Sequence, residues 1–308
     1  MEIKIIYIIM DLHWGIDLGG TKIEGVVMEG GNPIPLRRLR IPTERERGYQ
    51  HILNQISKLI EVLIAETGVK PDKIGIGTPG VIDPILNTMK NSNTTVMNGM
   101  PFKKDVEQLL NIPIIVANDA NCFAVAETNM GIVKEKMPNA KVVFGVIMGS
   151  GVGGGIVING KPITGRQGIA GEWGHNFLDA SGGDCYCGNS GCVETIISGK
   201  SLERFYEEQT GEHLLLKTII EKYHEGTDET ATKTVKRMLN FFGKGIANVI
   251  NILDPDAIVI GGGVSNVELL YKEGVEEARK YIFNNRFDTV FFKPKLGDSA
   301  GVFGAALL

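Results

Sequence analysis

Gly15-Ile-Asp-Leu-Gly-Gly-Thr-Lys-Ile-Glu-Gly-Val-Val-Met28 and Gly145-Val-Ile-Met-Gly-Ser-Gly-Val-Gly-Gly-Gly-Ile-Val-Ile158 are two versions of one pattern. Each is an apolar strand, a glycine-rich turn and a second apolar strand. Each leads to a Gly/Asn turn followed by a proline and an isoleucine, Pro33–Ile34 and Pro162–Ile163. A second pair comes next in the same order: Lys73-Ile-Gly-Ile-Gly-Thr-Pro-Gly80 and Ala257-Ile-Val-Ile-Gly-Gly-Gly263. Both read as buried strands that stop in a glycine loop. Two landmarks recurring in order, in units that begin about 130 residues apart, predict two lobes of common architecture.

Helical patterns lie between these strands. Ile52, Ile56, Leu59, Ile60 and Leu63 repeat at helical spacing within Tyr49–Thr67. Asp119–Asn129 reads as a helix with Asn118 as its cap. Ser201–Tyr223 and Thr230–Leu253 read as helices, the second stopped by Pro255. Ala300–Leu308 reads as a small-residue helix that packs closely on a neighbour. Strands alternating with helices place the chain in the α/β class.

Composition narrows the function. The chain has 308 residues, enough for two domains, with 43% hydrophobic and 22% charged residues, as in ordinary globular proteins. The formal net charge of −4 lacks the basic excess of a nucleic-acid binder. The 40 glycines cluster at residues 15–25, 75–80, 145–155 and 261–263, where a backbone can come close to a ligand, instead of spreading as a linker would. The apolar run Ile3–Met10 is too short to span a bilayer, and no small-residue cleavage site comes after it. It reads either as a first strand or as an extension ahead of a natural start at Met10, the second being favoured. With no export signal read and no membrane segment, the expected compartment is the cytoplasm.

The glycine turns are candidate phosphate cradles, because exposed backbone N–H groups form an anion-binding concavity. Gly149-Ser-Gly-Val-Gly-Gly154 formally satisfies the dinucleotide fingerprint, and Gly155–Lys161 nearly matches a Walker A loop. Both motifs need a helix after the glycines. The stretch Gly155-Ile-Val-Ile158 reads as a strand, so both are rejected in favour of two hairpin turns facing each other across a cleft. Asp17 at the first turn is positioned to hold Mg2+, an ion that takes one or two carboxylates together with phosphate oxygens. Thr21 and Lys22 are positioned to meet the phosphates. Taken singly, Asp17 reads equally as a turn former and Lys22 as a solvated surface charge.

Ile112–Val116 leads into Ala117-Asn118-Asp119, which puts an acid at the carboxyl end of a strand, where α/β proteins bind ligands. Phosphoryl transfer needs alignment, charge neutralisation and an acceptor for the hydroxyl proton. Asp119 suits the last role. The residues alone favour the plainer reading, a helix-capping Asn-Asp pair.

Asp17-Leu-Gly-Gly-Thr-Lys, Gly77-Thr-Pro-Gly, Ala117-Asn-Asp-Ala-Asn, Gly149-Ser-Gly-Val-Gly-Gly-Gly and Gly171-Glu-Trp-Gly-His together resemble the ROK family of bacterial sugar kinases and repressors, in order, from about Trp14 to Leu308. The resemblance implies a two-lobed, actin-like ATPase fold of the ribonuclease H-like, hexokinase type, with ATP and a hexose between the lobes. The expected lobes are residues 1–117 with 295–308, and 118–294. The resemblance makes Asp119 the general base and Asn118 a sugar contact, and it adds Asn93, Glu172, His175 and Glu194 as further sugar contacts. It assigns the nucleotide to Asp17, Gly19, Gly20, Thr21 and Lys22, to Gly149, Ser150, Gly151 and Gly153, and to Gly261, Gly262 and Gly263 near the adenosine.

The spacing His175-x9-Cys185-x-Cys187-x4-Cys192 supplies one imidazole and three thiolates, a closed set for structural Zn2+. It resembles the family's Cys-x-Cys-Gly-x2-Gly-Cys-x-Glu element, with a shorter interval between His175 and Cys185. One imidazole nitrogen is expected on the zinc and the other toward a sugar hydroxyl. Cys122, inside the helix after the base, reads as a small buried hydrophobe. Residues 91–102 and 185–199 look most like fructokinases, and Gly160-Lys-Pro-Ile-Thr-Gly165 like N-acetylglucosamine kinases. The expected order of substrates is fructose or mannose, then N-acetylglucosamine, then glucose. The repressor branch of the family needs a helix-turn-helix module ahead of Asp17, where the sequence has sixteen residues. The family often forms dimers, so a homodimer is expected.

Overall fold

The computed structural model describes residues 11–30 and 32–308. The run Ile3–Met10, and with it the choice between strand and extension, lies outside the described residues. The chain divides into two compact units, one running to Cys122 and resuming over Ser299–Leu308, the other spanning Phe123–Asp298.

In the first unit, strands β1 (Leu12–Leu18) and β2 (Lys22–Glu29) form an antiparallel hairpin in which Asp17 lies opposite Glu24. Strand β3 (Arg37–Pro42) extends the hairpin on the β2 side. Helix α1 (Tyr49–Thr67) precedes β4 (Ile74–Thr78), which pairs in parallel with β1. Strands β5 (Val81–Ile82) and β6 (Met89–Lys90) make a separate two-stranded ribbon, and helix α2 (Phe102–Leu110) comes next. Strand β7 (Ile114–Asn118) then pairs in parallel with β4, completing the order β3-β2-β1-β4-β7.

Helix α1 buries Ile52, Leu53, Ile56, Leu59, Ile60 and Leu63, the stripe its spacing predicts. It ends at Gly68, whose left-handed backbone (φ 69°) returns an N–H to the Ile64 carbonyl at 2.8 Å. Gly25 on β2 meets this helix, since a Cβ there would lie 2.8 Å from Leu59 and Leu63. Helix α10 (Ala300–Ala306) covers the other face, as its small residues predict. A Cβ on Gly75 would lie 1.8 Å from the Ala305 carbonyl oxygen, so glycine alone allows that approach.

Helix α3 (Asp119–Asn129) begins in this unit and ends in the next, past the expected divide after residue 117. Its first turn belongs here because Gly77 and Gly304 both pack on Cys122; a Cβ on Gly304 would meet the Cys122 carbonyl oxygen at 1.7 Å. Residues 295–298, expected with the first lobe, belong to the second unit. There the N–H groups of Lys295 and Leu296 donate to the buried Glu127 carboxylate at 3.0 and 2.8 Å.

The second unit repeats the plan. After α4 (Ile132–Lys136), strands β8 (Val142–Met148) and β9 (Val152–Ile158) form the hairpin, and β10 (Lys161–Pro162) extends it. Strands β11 (Ala257–Gly261) and β12 (Val290–Phe292) add in parallel on the β8 side. The order β10-β9-β8-β11-β12 matches the first sheet in position and direction, which is the duplication legible in the glycine landmarks. The short α5 (Glu194–Ile197) precedes α6 (Gly199–Thr210), α7 (Leu216–Glu225) and α8 (Glu229–Leu253), with α9 (Glu273–Arg279) packed on α8.

The single helix expected over Ser201–Tyr223 is therefore two. Gly211 takes a left-handed backbone (φ 76°) and donates its N–H to the Glu207 carbonyl at 2.7 Å, which closes α6. Helix α8 forms as expected: Asp228 accepts the Ala231 N–H at 2.8 Å, and Val235, Met238, Leu239, Phe242, Ile246 and Val249 are buried along it. Among the described residues no helix is long and apolar enough to cross a membrane.

Candidate active site

The first glycine turn is pinned from outside the hairpin. Gly19 donates its N–H to the Lys22 carbonyl at 2.9 Å. The Thr43 hydroxyl donates to the Gly19 carbonyl at 2.7 Å, and the Thr43 N–H to the Thr21 carbonyl at 3.0 Å. Sequence reasoning missed Thr43; its only signal was its place just after β3. Thr21 is exposed and Lys22 is half-exposed.

Asp17 ends β1 beside this turn. Its carboxyl is pushed up from 3.8 to about 6, first by burial and then by the negative charges of Asp119 and Glu24; Lys22 and Arg40 pull the other way. A Cβ on Gly301 would stand 3.1 Å from Asp17 Oδ2, so helix α10 passes the carboxylate where it carries no side chain. Glu24, fully buried opposite Asp17, is ion-paired with Arg38 and with Arg40 at 2.6 Å. Cys122 is fully buried between these acids and Gly77, and its thiol is held well above the ordinary range by burial and by Asp17 and Asp119.

Asp119 stands at the carboxyl end of β7 as the first residue of α3. The residue is exposed, and desolvation by the protein packed around its carboxyl raises its pKa. The Ala120 N–H, donating to Asp119 Oδ1 at 2.8 Å, opposes the rise. Asn118 is the helix cap: its Oδ1 accepts the Asn121 N–H at 2.8 Å. The capping role expected of the pair thus falls to Asn118, leaving the Asp119 carboxylate exposed beside Asp17. Asn93 is exposed on a loop held by Asn98, which accepts the Ser92 N–H at 2.9 Å and donates to the Ser92 carbonyl at 3.0 Å.

In the second unit the glycine clusters meet. Gly149 donates its N–H to the Gly151 carbonyl at 2.9 Å, closing the turn between β8 and β9. A strand, not a helix, comes after it, as the rejection of the dinucleotide motif requires. Gly199, the first residue of α6, donates its N–H to the Gly149 carbonyl at 2.7 Å. Gly262 has φ 82°, and a Cβ there would lie 2.4 Å from the Met148 carbonyl oxygen, so residues 261–263 lie against the end of β8. Glu194 reaches the same turn, accepting the Val152 N–H on Oε2 at 2.8 Å.

The segment carrying Glu172 and His175 lies on β9. Trp173 Nε1 donates to the Gly153 carbonyl at 3.0 Å, and a Cβ on Gly174 would lie 2.0 Å from the Val152 carbonyl oxygen. Beside it, one ligand atom from each of His175, Cys185, Cys187 and Cys192 falls within 4.8 Å of the others. His175 Nδ1 is 3.6 Å from Cys185 Sγ, and the sulfurs of Cys187 and Cys192 are 3.7 Å apart. Two thiolates about 2.3 Å from one tetrahedral zinc stand about 3.8 Å apart, so the four residues fit the ion. His175 Nε2, expected to face a sugar hydroxyl, is 3.1 Å from the exposed Tyr186 hydroxyl.

A model of the ROK family matches residues 13–308. The N-acetyl-D-glucosamine kinase of Vibrio atlanticus (strain LGP32) is 36% identical over 308 residues, covering 96% of this chain and 99% of that protein. The enzyme of the same name from Pectobacterium carotovorum subsp. carotovorum (strain PC1) is also 36% identical, covering 96% and 98%. Among solved structures, a ROK hexokinase from Thermus thermophilus superposes with a TM-score of 0.85 at 29% identity, covering 96% of this chain and 97% of that one. A ROK family glucokinase from Streptomyces griseus, in complex with glucose and AMPPNP, gives 0.75 at 29% identity, covering 96% and 98%.

Proposed function

The chain belongs to the ROK family and is an ATP-dependent hexose kinase, and we propose that Asp119 is its general base and N-acetylglucosamine its preferred hexose. One observation carries the assignment of the base. Asp119 presents an exposed carboxylate at the carboxyl end of a parallel strand, in the same unit as the half-buried Asp17 and the glycine turn. A raised carboxyl pKa makes a better proton acceptor, which is what removal of a sugar hydroxyl proton asks of it. The hydroxyl oxygen then attacks the terminal phosphorus, and the bond to the bridging oxygen of ADP breaks.

Asp17 fits a role in holding Mg2+. It is half-buried near two like charges, Asp119 and Glu24, and a cation would relieve that repulsion. The ion, when bound, neutralises phosphate charge. On this reading Gly19, Gly20, Thr21 and Lys22 receive phosphates, as do Gly149, Ser150, Gly151 and Gly153, with Gly261, Gly262 and Gly263 toward the adenosine. Asn93, Glu172 and Glu194 hold sugar hydroxyls, as does Asn118 through its amide. The zinc set His175, Cys185, Cys187 and Cys192 fixes the loop before Glu194; a closed four-ligand site has a structural role.

The choice of sugar departs from the order read in the sequence. The 36% identical N-acetylglucosamine kinases support N-acetylglucosamine over fructose and mannose, as does the stretch Gly160-Lys-Pro-Ile-Thr-Gly165. The test is ADP release over a panel of N-acetylglucosamine, fructose, mannose and glucose, with Asp119→Asn beside the wild type. We expect the highest kcat/KM on N-acetylglucosamine, and a loss of about 100-fold or more in kcat for the variant. A variant with wild-type kcat removes Asp119 as the base. Sugar binding without turnover in the wild type turns the protein into a sensor.

A further inference from the structure

We propose that Arg45 is a phosphoryl-binding residue of this kinase, its guanidinium meeting the phosphoryl group at the Gly20 turn while that group passes from nucleotide to sugar. The proposal rests on the kinase reading and adds a residue that no motif in the sequence had marked.

Three observations place it. The first is proximity: a methyl group on Gly20 would stand 2.9 Å from Arg45 Nη1. The guanidinium therefore lies over the bare Cα of the second glycine of the turn.

The second is that the charge is unspent. Arg47 pairs with Glu44 at 2.8 Å, and Arg38 and Arg40 pair with Glu24. Among the described residues no carboxylate pairs with Arg45, which is exposed. The one acid beside it in sequence, Glu44, is committed to Arg47 and to His51 at 2.7 Å. Glu44 also holds a left-handed backbone (φ 49°, ψ 48°) just before Arg45, a conformation that costs energy for a non-glycine residue.

The third observation is an unmet hydroxyl. Thr94 is 2% exposed and its Oγ1 has no hydrogen-bond partner among the described residues. That oxygen lies 3.6 Å from the same point above Gly20. A buried hydroxyl without a partner is costly and uncommon. A phosphoryl oxygen arriving at the turn would accept from it. Thr94 adjoins Asn93, the proposed sugar contact, so the hydroxyl is placed where nucleotide phosphate and sugar must come together.

An unpaired guanidinium, a bare glycine and an unmet hydroxyl suit a dianionic tetrahedral group and suit a neutral sugar poorly. Arginine binds phosphate oxygens through two parallel N–H groups, which also orients them. Charge developing on the transferred group is where such a donor lowers a barrier. The same oxygens leave on the hexose phosphate, so Arg45 also contacts the product.

The test compares wild type, Arg45→Gln and Arg45→Lys in steady-state turnover, equilibrium sugar binding without nucleotide, and inhibition by the purified hexose phosphate product. We expect Arg45→Gln to lower kcat about 100-fold. Sugar affinity should stay within about twofold and product inhibition weaken about tenfold or more, the scale of one lost charge-assisted contact. Arg45→Lys should recover part of kcat, and free guanidinium ion should restore part of it to Arg45→Gln. Wild-type kcat and product inhibition in Arg45→Gln would overturn the assignment. So would a loss of kcat matched by an equal loss of sugar affinity, or one that neither lysine nor guanidinium restores. A wild type lacking sugar-dependent ADP release instead fails the kinase reading itself, which keeps the two failures apart.

Discussion

Glu194 Oε2 accepts the Val152 N–H at 2.8 Å, tying a proposed sugar contact to the backbone that leaves the second glycine turn. Gly151 has no Cβ at this point; one would lie 2.4 Å from the same oxygen. Oε1 accepts no hydrogen bond among the described residues, which leaves it for a sugar hydroxyl. On the proposed assignment, one side chain would thus serve both substrates, one with each oxygen.

The consequence is a split between two substitutions. Glu194→Ala removes both oxygens, so KM should rise for the sugar and for ATP together. Glu194→Gln keeps one carbonyl oxygen for Val152, so the KM for ATP should return toward wild type while the KM for sugar stays raised. Steady-state kinetics with each substrate varied in turn reads this directly. A glutamine variant that alters both constants alike would show that the turn does not depend on Glu194.

Much of this site was legible because it is carried by local signals. Strand, glycine turn and strand fixed the two hairpins, and helical spacing fixed α1 over Tyr49–Thr67. What was not legible depends on partners far along the chain. No local signal marks Arg38 and Arg40; their role appears only when β3 pairs with β2 and both reach the buried Glu24. Thr43 gains its role only when its hydroxyl reaches Gly19. The break at Gly211 was local and still missed: residues 207–213 carry no apolar residue, and Gly211 is the left-handed stop within that gap. Asn118 and Asp119 looked like rival readings of one pair; in the structure the cap falls to the first and the exposed carboxylate belongs to the second.

Asp17 sets a pH dependence whose sign is opposite to that of an ordinary salt-bridged acid. Its carboxyl titrates at about 6 in the folded protein against an ordinary value of 3.8. The folded state therefore binds the proton more tightly, and stability falls as pH rises between those values. Above about 6 the ionised group costs up to roughly 3 kcal/mol, at about 1.4 kcal/mol per pKa unit. Asp17→Asn should raise Tm at pH 7.5 without nucleotide while abolishing magnesium-dependent turnover. In the wild type, the KM for Mg-ATP should climb as pH drops through about 6, because the protonated acid no longer attracts the cation. Thermal melts and a pH series of KM check the two halves separately. A variant less stable than wild type would contradict the sign.

The His175, Cys185, Cys187 and Cys192 set predicts a metal-dependent stability. Three thiolates and an imidazole at tetrahedral separations would bind Zn2+ in the folded state alone, so that binding free energy would add to folding free energy. Prolonged chelation, or Cys187→Ser at the exposed ligand, should lower Tm by several degrees. Elemental analysis should return one zinc per chain for the wild type. The sugar KM should rise with the loss, since Glu194 stands two residues after Cys192. An unchanged Tm in protein shown to be metal-free would remove the site.

Two glycines separate fold from function. A Cβ on Gly75 would sit 1.8 Å from the Ala305 carbonyl oxygen, so Gly75→Ala forces α10 away from β4. Overpacking of this kind costs about 3 kcal/mol. Helix α10 also carries Gly301 past Asp17, so the displacement should raise the KM for Mg-ATP as well as lower Tm. Gly263 is the contrast, with nothing within 4 Å of its would-be Cβ and no positive φ. Gly263→Ala should leave Tm unchanged and raise only the KM for ATP, because the added methyl enters space proposed for the nucleotide. Melting curves and nucleotide KM on the two variants make the comparison, and equal loss of stability in both would mean that Gly263 serves the fold instead.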